Sequence, residues 1–97
     1  MALSSRDLVA KARAFTISIG KLDRDARRAQ PSGLFGRDYN SLRAAAATLH
    51  PRLVEILPPA VQVHQDSLGQ EFTEASYGEL DTFCEQLVQI LEEQKGS

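Results

Sequence analysis

Apolar residues near the start of the chain recur at spacings that alternate between four and three. The series comprises Leu8, Ala12, Phe15, Ile19, Leu22, Ala26 and Ala29. A repeat of 3.5 residues is typical of a helix that packs lengthwise against other helices. Ser4 and Asp7 have the spacing of a capping box, and Pro31 lies where a helix would stop. The sequence therefore predicts a first helix over residues 5–29.

A second apolar series with the same alternation predicts a second helix. It comprises Tyr39, Leu42, Ala46, Leu49, Leu53 and Ile56. Asp38 is a favourable N-cap, so we expect this helix to begin near it. Pro51 removes a backbone donor without disturbing the series, which predicts a kink or a new short helix with the proline at its first position. The Leu-Pro-Pro sequence at 57–59 predicts the end of the element.

A third series begins after Ser76, which forms a capping box with Glu79. It comprises Tyr77, Leu80, Cys84, Leu87 and Leu91, and Phe83, Val88 and Ile90 widen its apolar face. A face this wide contacts more than one neighbour. The third helix is therefore predicted to be central to the bundle or to an oligomer.

Two segments connect the three predicted helices. Residues 31–38, PSGLFGRD, are predicted to form a loop in which Leu34 and Phe35 plug the end of the bundle or, alternatively, anchor a partner. Residues 60–75 favour a short helix that starts after Pro59 and closes at Gly69. The alternation at 61–63 also permits an extended segment, but no second strand is evident for it. The predicted fold class is all-α, an antiparallel three-helix bundle with a short fourth helical segment between the second and third long helices.

Composition limits the size and the environment of the fold. The 97 residues are enough for one domain, and the absence of tryptophan leaves an aliphatic core. The single cysteine, Cys84, excludes an intrachain disulfide and lies in the apolar series, so we expect a core role for it in a reducing compartment. No apolar run approaches the length of a membrane span, and the N-terminus has no apolar signal segment. The predicted localisation is cytoplasmic, without a membrane partner.

Charge is divided unevenly along the chain and suggests a binding surface. Residues 1–52 carry a net charge of +6 and residues 53–97 a net charge of −8. This division is explained by basic and acidic halves that pack together, or by an interaction surface. The partner-binding residues predicted for the first helix and the following loop are Arg13, Ile17, Lys21, Arg24, Arg28, Leu34 and Phe35. Ile17 and Gly20 interrupt the basic stripe and no aromatic residue lies within it, so an acidic protein suits it better than a nucleic acid. The alternative is a plain solvated face with intrahelical pairs such as Asp23–Arg27.

Arg43 and His50 are the candidates for catalysis. Their Arg-x6-His spacing is similar to the loose Arg–His pattern of the HEPN ribonuclease superfamily, although Ala44 replaces the polar residue that often follows the arginine and Pro51 is not part of the pattern. The resemblance implies metal-independent RNA cleavage, with His50 transferring a proton and Arg43 stabilising phosphorane charge. The structural alternative is that Arg43 is a solvated charge and His50 flanks the proline.

The sequence therefore favours a non-enzymatic interaction module, such as an adaptor, an accessory subunit or an assembly factor. We expect a protein partner, an acidic one among the candidates, and a homodimer to which residues 80–91 and the Leu34–Phe35 pair contribute. No cofactor or metal is expected, since no ligand spacing is present. The alternatives are the HEPN-like RNase and nucleic-acid binding by the first helix.

Overall fold

Three helices and one β-hairpin make up residues 4–95, the part of the chain that the computed structural model describes, with side chains described for residues 4–93. The elements are α1 (Ser5–Gly20), α2 (Gly33–Leu49), β1 (Val63–Gln65), β2 (Glu71–Thr73) and α3 (Tyr77–Lys95), with 3-10 turns at Ala26–Arg28 and Pro51–Leu53. The mostly helical prediction is confirmed. The all-α prediction is wrong because the chain between α2 and α3 pairs as two strands.

The start of α1 is confirmed and its predicted end is wrong. Ser4 caps the helix, and the reciprocal capping box with Asp7 is present. α1 ends at Gly20 rather than near residue 29. The Asp23 carboxylate accepts a hydrogen bond from the Ala26 N–H at 2.7 Å, and Arg27 donates to the Gly20 carbonyl at 3.2 Å. Side-chain bonds of this kind compete with helix continuation, so they explain why the helix ends although the apolar spacing continues.

The second helix begins six residues before the predicted start. Its N-cap is Ser32, whose hydroxyl accepts from the Phe35 N–H, and Asp38 lies inside the helix. The predicted loop over residues 31–38 is therefore mostly the first turns of α2. Two glycines are buried there because the hairpin crosses close above them.

Pro51 ends α2 rather than kinking it. The helix stops at Leu49, and His50 leaves helical geometry with φ −132° and ψ 72°. Pro51 is then the first residue of a 3-10 turn, where its missing N–H costs no hydrogen bond. Of the two alternatives that the sequence offered, the new short helix is confirmed.

The short helix predicted within residues 60–75 is wrong, since this segment forms an antiparallel hairpin. Val63 pairs with Thr73, His64 with Phe72 and Gln65 with Glu71. The Asp66 carboxylate accepts from the Leu68 and Gln70 N–H groups, each at 2.9 Å, and Gly69 has a φ of 81° that favours glycine. The second strand, which was not evident from the sequence, is Glu71–Thr73.

The hairpin packs against the beginning of α2. The Thr73 N–H donates to the Pro31 carbonyl at 2.8 Å, and its hydroxyl donates to the Ser32 carbonyl at 2.7 Å. A Cβ at Gly33 would lie 2.6 Å from the Glu71 Cβ, and a Cβ at Gly36 would overlap the Thr73 side chain. Glycine at both positions therefore allows the hairpin to approach the helix.

The apolar series of α3 is confirmed as core. Its residues from Leu80 onward, namely Leu80, Cys84, Leu87 and Leu91, have no exposed surface. One cluster joins Leu87 and Leu91 to the first half of α1 and the second half of α2, and another joins Leu80 and Cys84 to Ile19 and Tyr39. Phe15 packs against both clusters. The series is thus buried within one chain, whereas Phe83, Val88 and Ile90, which widen its apolar face, are half-buried. The contribution of residues 80–91 to a homodimer stays a prediction.

Candidate functional site

A groove of about 500 Å³ lies between α1 and α2. Its lining from α1 is Lys11, Ala14, Phe15 and Ser18, and its lining from α2 is Phe35, Asp38, Ser41 and Leu42. These residues recur at helical spacings of three and four on each side, so one stripe of each helix faces the groove. The volume lies within the range of ligand-binding clefts.

Aromatic side chains form the apolar part of the groove. Phe15 and Phe35 meet edge to face with ring centroids 4.8 Å apart, and Tyr77 of α3 lies against Phe35 at 5.3 Å. Phe15 and Phe35 are both only half-buried. Leu34, next to Phe35 in the first turn of α2, is 68% exposed. The floor and one edge of the groove therefore leave apolar surface in water, which favours burial by another molecule.

The two rims carry opposite charges. Lys11 lies on the α1 side and Asp38 on the α2 side, and neither forms an ion pair within residues 4–93. Two arginines nearby are already neutralised, because Arg13 pairs with Glu92 and Arg37 pairs with Glu71. The rims therefore offer one free positive and one free negative group to an occupant.

The predicted basic surface is divided among three places. Arg13 binds Glu92 of α3, which is the packing of basic and acidic halves that the charge division suggested. Ile17 is 62% exposed and lies about 60° around α1 from Ala14, outside the groove lining. Lys21 follows the last residue of α1. Arg24 and Arg28 are exposed in the segment after the helix, so they do not continue its basic face.

Of the predicted partner-binding residues, Phe35 lines the groove and Leu34 borders it. Sequence reasoning missed the other lining residues because it placed residues 31–38 in a loop and assigned Phe15 wholly to the core. A signal was present: Lys11, Ala14 and Ser18 follow helical spacing beside Phe15. Because the sequence prediction did not place residues 33–38 in α2, it offered no helix opposite this stripe.

Arg43 and His50 contact separate parts of the molecule. Arg43 donates through Nε to the Pro58 carbonyl at 2.6 Å. His50 Nε2 and the Ser5 hydroxyl are hydrogen-bonded at 2.6 Å, which ties the end of α2 to the start of α1. Neither residue lines the groove. Both side chains therefore have structural contacts, and Arg43 is not simply a solvated charge.

Arg43 belongs to a set of α2 side chains that hold the segment after Leu57. Asn40 donates to the Val61 carbonyl at 2.9 Å and accepts from the Val61 N–H at 2.8 Å. The Tyr39 hydroxyl donates to the Pro59 carbonyl at 2.8 Å. These bonds satisfy backbone groups of a segment that has no regular secondary structure. They fix the chain between α2 and the hairpin.

Burial determines the chemistry of Cys84. Removal from water, with a smaller effect of the nearby Asp81, raises the pKa of the Cys84 thiol to about 12. Burial likewise raises the pKa of the Tyr39 hydroxyl. A thiol that stays protonated is a poor nucleophile, so Cys84 acts as a small apolar core residue.

Stability should therefore fall at alkaline pH. The Cys84 pKa is raised from 9.0 to about 12. The contribution of the buried, protonated thiol to the free energy of unfolding is therefore complete below pH 9 and is lost as pH rises toward 12. The raised pKa of Tyr39 acts in the same direction. Urea midpoints of the wild type and of Cys84→Ala, measured at several pH values above 9, should fall less steeply with pH in the variant. Parallel slopes would contradict a buried neutral thiol.

None of the helices within residues 4–95 combines the length and apolar character that a bilayer crossing requires. Over the same range, no three His, Cys, Asp or Glu side chains are grouped so that they could hold a metal ion. A scan against protein-family models, a search of the curated proteins and a search of the solved structures each found no match to the chain.

Proposed function

We propose that this chain is a non-enzymatic interaction module that docks a protein partner on the groove between α1 and α2. The observation that carries the proposal is the exposed apolar surface of the groove, where the half-buried rings of Phe15 and Phe35 adjoin the largely exposed Leu34. Burying such surface against a partner is the main source of favourable binding energy. An adaptor, an accessory subunit or an assembly factor would use a surface of this kind.

The proposal includes a finer description of the fold. The two core clusters group early residues of α1 with late residues of α2 and α3, and late residues of α1 with early residues of both. This grouping supports a bundle in which α1 runs opposite to α2 and α3. The groove is then the open side between two antiparallel helices.

Positive charge beyond the end of α1 supports a partner with acidic groups. Lys21, Arg24 and Arg28 are exposed, and none of them forms an ion pair in the described part of the chain. Charges at the edge of an interface act mainly on the rate of association and on the choice of partner. Cys84, a buried free thiol, is in keeping with a reducing compartment such as the cytoplasm.

A comparison of two exposed leucines tests the proposed surface. Leu34→Lys places a charge at the edge of the groove, whereas Leu68→Lys makes the same change at the hairpin turn, where Leu68 is 84% exposed. We expect Leu34→Lys to reduce recovery of partner proteins tenfold or more in quantitative affinity purification from the native cell, a loss of about 1.4 kcal/mol. Leu68→Lys should leave recovery unchanged.

The thermal midpoint of each variant serves as the control for folding, because both side chains project into water. Equal recovery with the two variants would contradict docking at the groove. A loss of partner recovery in Leu68→Lys alone would show that the binding surface lies on the hairpin.

The two alternative functions have weaker support. The RNase hypothesis requires Arg43 and His50 at one site, but each is hydrogen-bonded to a different segment. The hypothesis of nucleic-acid binding requires a continuous basic helix, but α1 ends before Arg24. RNA cleavage that disappears in His50→Ala would support the first alternative over the docking function.

A further inference from the structure

We infer that the occupant of the groove is an amphipathic helix of another protein, with an acidic group on one flank of its apolar stripe and a basic group on the other. This inference rests on the proposed docking function and names the kind of partner that fits it. Four observations carry it: the lining of the groove, the size of its rim residues, its two free charges, and the absence of a suitable stripe on the chain itself.

The groove favours a helix over an extended peptide. Its lining consists of side chains from α1 and α2, and both strands of the hairpin lie outside it. An extended peptide in such a groove would have no strand to pair with, so its buried backbone groups would lose hydrogen bonds. A helix satisfies its own backbone and presents apolar side chains at spacings of three and four to the rings below.

The rim residues allow a helix to approach closely. Ala14 and Ser18 on α1 and Ser41 on α2 line the groove, and none of these side chains is large. The lining of α1 from Lys11 to Ser18 is about 10 Å long, so two turns of a docked helix would cover it. The result is a fourth helix laid on the open side of the bundle.

The charges of the rims specify the flanks of the occupant. Lys11 on one rim attracts an acidic group, and Asp38 on the other attracts a basic group. A helix with acids on both flanks, or bases on both, would meet one like charge in either direction of binding. Complementary charge thus selects among helices that share the same apolar stripe.

A second copy of this chain does not supply such a helix within its described residues. The large apolar side chains exposed there are Ile17, Leu34, Leu49, Val54, Ile56 and Leu68. α1 contributes one of them and α2 contributes two, fifteen positions apart, while the large apolar residues of α3 are buried in the core or partly buried against it. None of these helices presents an unused stripe at helical spacing, so the occupant comes from a different protein.

Designed peptides of about 15 residues test the inference directly. Three peptides share one leucine stripe and carry acid on one flank and base on the other, acid on both, or base on both. A fourth repeats the mixed pattern with two prolines that break the helix. Affinities for the wild-type chain, for Lys11→Glu and for Asp38→Lys are measured by fluorescence anisotropy, with Arg52→Glu outside the groove as a matched charge change.

We expect the mixed peptide to bind the wild type about threefold more tightly than either uniform peptide. Lys11→Glu should then prefer the basic peptide and Asp38→Lys the acidic peptide, while Arg52→Glu keeps the wild-type order. The proline peptide should bind at least tenfold more weakly than its parent.

Four outcomes would overturn the inference. They are an unchanged order of affinities in the variants, equal binding of the proline peptide, no binding of any peptide, and a concentration-dependent dimer that Leu34→Lys abolishes. If native partners still depend on Leu34 in these cases, the docking function stands and the helical occupant is wrong. If partner recovery does not depend on Leu34, the docking function itself has failed.

Discussion

Gly36→Ala is expected to destabilise the protein by about 3 kcal/mol, one of the two largest effects that the packing of α2 predicts. An added Cβ would lie 2.9 Å from the Thr73 Cγ2, 3.1 Å from its Cβ, and closer still to its hydroxyl. Thr73 is fully buried, and its hydroxyl bond to Ser32 holds it in place. Alanine improves helix propensity by about 1 kcal/mol, so the net loss is smaller than the clash alone would cause.

Thermal or urea unfolding measures this loss, which corresponds to a fall in the midpoint of roughly 10–20 °C. Gly20→Ala is the matched control, because an added Cβ there has no atom within 4 Å and the φ of Gly20 is not positive. Gly20→Ala should leave stability unchanged or raise it by up to about 1 kcal/mol. Thr73→Ala should lower the free energy of unfolding less in the Gly36→Ala background than in the wild type, since it removes atoms that clash with the added Cβ. A Gly36→Ala variant as stable as the wild type would contradict the packing of the hairpin on α2.

Asn40→Ala should cost about 3 kcal/mol, since one amide side chain satisfies both backbone groups of Val61. Val61 is buried, so alanine leaves an N–H and a carbonyl without partners. Asn40→Asp keeps an acceptor for the Val61 N–H and loses the donor to its carbonyl, so its cost should be intermediate. Urea denaturation of the three proteins gives the comparison.

Ser41→Ala is the control for Asn40→Ala. Ser41 follows Asn40 on α2 and is exposed, and its removal should change stability by less than about 0.5 kcal/mol. If Asn40→Ala behaved like Ser41→Ala, the segment after Leu57 would not depend on the amide.

The parts of the fold that could be predicted are those that a local pattern determines. The capping box of Ser4 and Asp7 placed the start of α1, and Ser76 placed the start of α3. The α3 series was correct because its residues from Leu80 onward are all buried in the two core clusters. The effect of Pro51 on the helix could be predicted because its restricted φ and its missing N–H donor act within one turn.

The parts that were missed depend on contacts that apolar spacing does not reveal. α1 ends at Gly20 because Asp23 and Arg27 redirect the chain, while the apolar spacing runs on. α2 starts at Gly33 because the hairpin packs over its glycines, and a glycine-rich segment usually signals a loop. The hairpin was missed because Glu71–Thr73 is too short to show a strand pattern by itself.

The candidate site was predicted in part for the same reason. Leu34 and Phe35 were singled out as an apolar pair between glycines. Phe35 lines the groove, and Leu34 lies beside the lining, one turn before Asp38 on α2. Lys11 and Asp38 could be recognised as the charged residues of the groove only once α1 and α2 were placed side by side. The basic stripe was extended too far because Arg24 and Arg28 were counted on a helix that ends before them.

Site-specific photo-crosslinking in the native cell tests the docking surface most directly. A photoreactive amino acid at Ser41, in the lining of the groove, is compared with the same group at Gln86, an exposed position on α3 outside it. We predict that Ser41 captures a partner protein whose crosslinked peptide is an amphipathic helix, and that Leu34→Lys abolishes this product. Capture from Gln86 alone, or capture from Ser41 that Leu34→Lys does not reduce, would contradict docking at the groove between α1 and α2.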